Sequence, residues 1–211
     1  MNLKKVLAKR LVLAKRLAVA SLLVDRLQGD PNFGRTKFAK IFYLSDIHGK
    51  LDLKTEYFRA AAGPLDQRAL YNEKIGIESL AQKYSLFSAK RQGNMIRYNP
   101  GRRLEQVVNE ASVHLNGKVD GVKRIANLFR NLNTDQSEII ATLYACWNDF
   151  LLQRRKPTDE EIANEFLEKW HPKKTRFPRS RLLKGLLWMR DNDLIPSGIG
   201  TRTSAPRESE N

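Results

Sequence analysis

Residues 134–153 read Thr-Asp-Gln-Ser-Glu-Ile-Ile-Ala-Thr-Leu-Tyr-Ala-Cys-Trp-Asn-Asp-Phe-Leu-Leu-Gln. Ile139, Ile140, Leu143, Tyr144, Trp147, Phe150 and Leu151 recur at helical spacing, and Thr134 is placed to cap a helix over 135–153. So apolar a stretch predicts the central core helix of its half of the chain. The basic run Arg154-Arg155-Lys156-Pro157 ends it.

Further along, Thr158-Asp159-Glu160-Glu161 is a capping box with acids in the first turn, where the helix dipole favours them. It predicts a helix to Trp170. A basic turn, residues 171–178, leads to a last helix over 179–192 bearing Leu182, Leu183, Leu186, Leu187 and Met189. From Ser197 the chain is rich in Gly, Ser, Thr, Arg and Pro, and residues 197–211 read as a disordered tail.

Toward the N-terminus, helices are expected over 102–115 and 119–131, and Asn99-Pro100-Gly101 reads as a domain boundary. Residues 86–98 hold two short β-like runs around Arg91-Gln92-Gly93-Asn94, a hairpin with a basic tip. Asp66 caps a helix expected to run to about Tyr84, residues 50–65 are less regular, and a helix is expected over 36–46. Breakers at 29–34 precede it. Residues 3–28 form a helix whose positions 3, 6, 10, 13, 17, 20, 24 and 27 are apolar except Arg10, with a stripe widened by Leu7, Leu11, Ala14 and Ala18.

The expected architecture is mainly α: two helical lobes with a small β-hairpin, the second lobe helix-turn-helix-like or winged-helix-like. Its divisions are an amphipathic N-terminal helix (1–28), a helical lobe with a basic hairpin (29–100), a second helical lobe (101–196) and the tail (197–211).

Lys and Arg number 38 against 23 Asp and Glu, a net charge of +15, with a pI near 10.1. Such an excess repels itself, so a polyanionic partner is the natural inference; a solubility role or an acidic protein partner would use the same charge. Cys146 is the single cysteine, set in an apolar run. It reads as a small core residue in a reducing compartment, and the expected location is the cytoplasm. Basic residues interrupt the N-terminal apolar stretch, so neither a signal peptide nor a membrane span is expected.

The most informative basic segment runs from Trp170 to Arg190 and contains no acid. Lys173, Lys174 and Arg176 in the turn, then Arg179, Ser180, Arg181 and Lys184 at the start of the last helix, have the layout of a helix-turn-helix reaching double-stranded DNA. The turn is longer than usual, and a solvated basic loop would read the same. Arg35, Lys37 and Lys40 form a second cluster, for which an ordinary capped helix is the competing reading. Lys90, Arg91 and Arg97 on the hairpin are a third expected contact area, the outline of a wing reaching a minor groove, though any exposed hairpin would read the same. Leu13, Leu17 and Val24 on the first helix, with Tyr43 and Tyr57, are candidate contacts with a protein partner.

No catalytic, metal or cofactor site is expected. His48, His114 and His171 have no metal-ligand spacing. His48 between Asp46 and Asp52 would suit a metal-dependent nuclease only if further carboxylates joined it; a histidine at a helix end is the simpler reading.

Residues 33–46 (Phe-Gly-Arg-Thr-Lys-Phe-Ala-Lys-Ile-Phe-Tyr-Leu-Ser-Asp) and 57–66 (Tyr-Phe-Arg-Ala-Ala-Ala-Gly-Pro-Leu-Asp) resemble a segment of type I restriction-modification DNA specificity subunits that lies beyond their target-recognition part. Residues 132–151 and 170–177 resemble the same proteins. The first half is also similar to the Panacea antitoxin domain, in which a Lys-x-x-Lys-hydrophobic-hydrophobic-Tyr helix precedes a Gly-Pro turn; Lys37, Lys40, Ile41, Phe42, Tyr43, Gly63 and Pro64 match. The resemblance implies prokaryotic defence, with restriction-modification subunits or a toxin protein as partners. The chain lacks a target-recognition domain of ordinary size, which leaves open an accessory protein, a detached module or an antitoxin.

Overall fold

Eight consecutive residues of the first helix, 17–24, are buried, so this stretch of the helix is enclosed by protein on every side. That is the burial expected where a helix is apolar all round rather than along one stripe. The computed structural model describes residues 3–205. Helix α1 (Leu3–Leu27) and α2 (Arg35–Ile47), buried from residue 37 to 47, are joined in the centre by α7 (Thr134–Leu152). Helix α2 packs on α7 and α6 (Val119–Phe129), and α1 packs on α5 (Leu104–His114) and α6.

The chain is mainly helical with small antiparallel hairpins, as expected. The remaining helices are α3 (Gln67–Tyr71), α4 (Ile77–Lys83), α8 (Asp159–Asn164), which continues as a π-helical turn over Glu165–Trp170, and α9 (Arg179–Asp191) after a 3-10 turn over Pro172–Arg176. The expected hairpin is present as β3 (Phe87–Gln92) and β4 (Met95–Pro100), turning through Gly93 at φ 59°. Two short strands were not legible in the sequence, β1 (Phe58–Ala60) and β2 (Gly63–Leu65). The single helix expected over 66–84 is two, because Asn72 leaves the helical region and its side chain caps the turn at Lys74 and Ile75.

Caps follow the sequence with one shift. Asn133, rather than Thr134, caps α7, in a capping box with Gln136. Thr158 and Glu161 form the expected box on α8.

The expected division at residues 99–101 does not divide the core. One cluster of buried apolar side chains runs from Leu17 to Leu194 through both halves. Gly101 N–H donates to Leu86 O and Arg103 N–H to Ser85 O, pinning the segment to the end of α4. The expected tail also needs correction. Residues 197–205 are fixed on α7: the Asn148 amide bonds Gly198 and Ile199, and Asp149 accepts from the Thr203 N–H and hydroxyl. Ser204 pairs in parallel with Phe58 beside β1. Residues 206–211 lie outside the described residues.

Four candidate partner contacts are core. Leu17, Val24, Tyr43 and Tyr57 are buried, and Leu13 is half-buried against the same cluster. Each fully enclosed large side chain contributes about 1.5–3 kcal/mol by leaving water. Among the described residues the large apolar side chains that α1 exposes are Leu7 and Leu11.

Candidate nucleic-acid interface

The basic turn sits where α8 and its π-helical extension hand over to α9. Trp170 anchors its start by donating Nε1–H to Ala60 O (3.0 Å). The His171 ring accepts from the Lys173 N–H, and Pro172 follows at the first position of the 3-10 turn, where no N–H is needed. Pro178 then precedes α9, which packs on α7 through Gly185: a Cβ there would lie 2.9 Å from Leu143 Cδ1.

The turn does not present all its cations to solvent. Lys174 is fully buried, with Nζ donating to Glu138 Oε1 (2.9 Å) and Thr142 Oγ1 (3.1 Å) and lying 5.1 Å from the Phe166 ring. Burial lowers its pKa, and Glu138 opposes that shift. A DNA role for Lys174 is therefore corrected, because its ammonium is spent on α7. Arg176 is exposed but paired with Asp135 and Glu138, each at 3.0 Å. Arg179 pairs with Glu160 (2.6 Å), Arg190 with Asp159, and Arg181 lies 3.8 Å from Asp135. Lys173, Ser180 and Lys184 are exposed, and among the described residues neither lysine has a carboxylate partner. A groove of about 280 Å³ between α7 and α9, floored by Leu132, Ile139, Ile140 and Trp188, takes in Arg181 and Lys184.

The α2 cluster is also mostly internal. Lys37 is buried and donates to Asp30 Oδ2 (2.6 Å), Leu132 O (2.6 Å) and Arg130 O (3.1 Å). Lys40 is buried and donates to Pro64 O at 2.8 Å; burial, then the neighbouring Lys174, lowers its pKa to about 7. Both ammoniums are held inside by these partners and so are closed to a phosphate; amphipathic spacing does not show which lysines a helix enclosed on all sides must bury. Arg35 is half-exposed, bonded to Glu78 (3.0 Å) and stacked on Tyr71, and the Glu78 hydrogen bond raises its pKa. Lys90 and Arg91 are exposed near the hairpin tip.

Exposed ion pairs contribute only about 0.2–1 kcal/mol. Arg179 and Arg181 can therefore exchange a carboxylate for a phosphate at small cost, whereas Arg176 also holds the buried Glu138, and Lys37, Lys40 and Lys174 cannot leave the interior without unfolding it.

Sequence reasoning missed the buried network that closes this end of the molecule. Arg59 donates to Asp149 Oδ2 (2.9 Å), Glu165 Oε1 (2.6 Å) and Thr203 Oγ1 (3.1 Å), and lies over the Trp170 ring. An arginine and an aspartate in otherwise apolar runs were the available signal. Asp46 is likewise committed, accepting from the Leu53 N–H and the Thr55 and Tyr57 hydroxyls. His48 is the C-cap of α2, as expected for a helix-end histidine, and its Nδ1 lies 3.3 Å from Tyr144 Oη. Cys146 is buried among apolar neighbours, and burial pushes its thiol pKa up. Among the described residues no group of His, Cys, Asp or Glu is arranged to hold a metal ion, and no helix is long and apolar enough to cross a membrane.

Comparison with protein families, characterised proteins and solved structures finds no match.

Proposed function

We propose that this chain is a non-catalytic DNA-binding or adaptor module of a prokaryotic defence system of the restriction-modification type. The observation that supports it is the charge surplus of +15. The acids near α9 are used in pairs with its arginines, while Lys90, Arg91, Lys173 and Lys184 stand at the surface without a carboxylate partner among the described residues. A surface with more cations than its own acids can neutralise binds a polyanion by releasing the counterions condensed on it. The resemblance to specificity subunits supplies the defence context. Retention on immobilised duplex DNA tests the reading. Binding should fall steeply between about 50 and 200 mM salt; no retention at either concentration would sink it.

A second reading, a Panacea-like antitoxin that neutralises a protein toxin, draws on one observation. Lys40, Gly63 and Pro64, which carry that resemblance, meet in the fold: Lys40 bonds Pro64 O, and a Cβ on Gly63 would lie 3.1 Å from Lys40 Cε. Co-purification with an acidic protein in nuclease-treated extract, together with no DNA retention, would favour it.

A further inference from the structure

A second gathering of cations lies away from α9, around residues 48–55 at the end of α2. Four of the five carbonyl oxygens from 50 to 54 accept from cationic side chains. Lys118 donates to Lys50 O (2.5 Å), Lys15 to Leu51 O (3.3 Å), and Arg16 to Leu53 O (2.8 Å) and to Lys54 O. Arg124, two turns along α6, donates to Asn192 O (2.6 Å) at the end of α9.

Lys50 and Arg124 both lie close enough to His48 to disfavour its protonation, after burial itself. Lys118, on the Lys50 carbonyl, completes the group. Among the described residues Lys50, Lys118 and Arg124 make no ion pair. Among the described residues Asp120 on the same helix, and Asp191 and Asp193 on either side of Asn192, form none either, and Asp52 is taken by Lys54 at 2.8 Å. This is the reverse of α9, whose arginines are neutralised by Asp135, Glu160 and Asp159.

The backbone adds a second observation. Lys50, Asp52 and Lys54 all have left-handed φ angles, 52°, 54° and 53°. They alternate with buried Leu51, Leu53 and Thr55, so the three strained positions are the exposed ones. Strain of this kind persists where surrounding contacts over-determine it. Here Asp46 holds the inner side through Leu53 and Thr55, while Lys15, Arg16 and Lys118 hold the carbonyls. A cleft of about 380 Å³ opens beside the loop, lined by Lys50, Lys54, Thr55 and Thr201 together with Asp46, which is spent on the loop, and Asp52, which is paired with Lys54. The loop is thus a fixed platform that displays exposed Lys50 beside Lys118 and near Arg124, none of the three in an ion pair among the described residues.

We propose that Lys50, Lys118 and Arg124 form a phosphate-binding site that carries the principal contact with the duplex DNA backbone, in place of the N-terminal turn of α9. The proposal rests on the DNA-binding reading above. Like charges held together without ion-pair partners favour an anion that neutralises them, and repeated phosphates spaced along a duplex supply it.

The test compares three proteins on the same 20-base-pair duplex across a salt series: wild type, Lys50→Gln/Lys118→Gln/Arg124→Gln, and Arg179→Gln/Arg181→Gln/Lys184→Gln. Each lost phosphate contact reduces the slope of log affinity against log salt by about one. The loop variant should therefore lose about three units of slope, and the α9 variant less than one. Acetylation footprinting of the wild-type chain reads the same contact without substitutions: DNA should protect Lys50 and Lys118 and leave Lys184 reactive. If the loop variant keeps the wild-type slope, or Lys184 is protected while Lys50 and Lys118 are not, the site is overturned and the interface returns to α9. If wild type itself does not bind DNA, the DNA-binding reading fails first, a result distinct from either.

Discussion

Lys174→Met separates the structural account of the basic turn from the account its sequence suggests. The Lys174 side chain is fully enclosed and its partner Glu138 is 5% exposed, so the substitution strands a buried carboxylate. Removing one member of such a pair costs about 3–5 kcal/mol. Arg176 still bonds Glu138 Oε2 at 3.0 Å and compensates part of that charge, which places the expected loss near the lower end. For a domain of this size each kcal/mol moves Tm by roughly 2–4 °C, so the variant should melt about 6–12 °C below wild type. Adding Glu138→Leu should restore most of the loss, because a buried pair replaced together by apolar side chains is often neutral or stabilising, and Arg176 is exposed and keeps Asp135 as its partner. Thermal unfolding followed by circular dichroism gives the melting points, and DNA retention at a temperature where both variants are folded gives the functional arm. A single variant that melts within about 2 °C of wild type yet loses DNA retention would refute the reasoning and make Lys174 a surface contact.

Three further outcomes follow from particular contacts. Lys40 has a folded pKa near 7 against an ordinary 10.5, so the unfolded chain binds the extra proton between those values. Stability should rise with pH from about 7 toward 9, then fall above about 10 as tyrosines ionise more readily in the unfolded chain than in the buried sites of Tyr43, Tyr57 and Tyr98; denaturant titrations at several pH values measure this, and Lys40→Met should flatten the rise. Gly63→Ala should destabilise by about 1–3 kcal/mol, since Gly63 sits at φ 103° and the new Cβ would lie 2.6 Å from Thr142 Oγ1; an unchanged midpoint would contradict that packing. Asn148→Ala removes three hydrogen bonds to residues 198 and 199 and should cost about 1–3 kcal/mol while exposing the 197–205 segment to protease.

Period and capping along the chain mark most of the helices and where several of them begin. The apolar spacing in 139–151 marked α7, and Thr158 with Glu161 marked the start of α8, because period and capping are local properties of a chain. The α1 pattern announced a helix but not its place: a wide apolar stripe fits a partner's surface as well as the protein's own centre, and only packing against α5 and α6 put Leu17 and Val24 inside. Tertiary structure alone decided which cations are available. Lys37, Lys40 and Lys174 look like Lys90 and Lys173 in sequence. Their burial depends on Asp30, the Pro64 carbonyl and Glu138, partners 7, 24 and 36 residues away. The docking of residues 197–205 depends in the same way on Asn148 and Asp149, some fifty residues earlier, and the gathering of Lys50, Lys118 and Arg124 on the meeting of α2 with α6. Charge is additive along a chain and so can be counted from its sequence, but whether a charge meets a carboxylate, a carbonyl or water is set by neighbours that only the folded chain supplies.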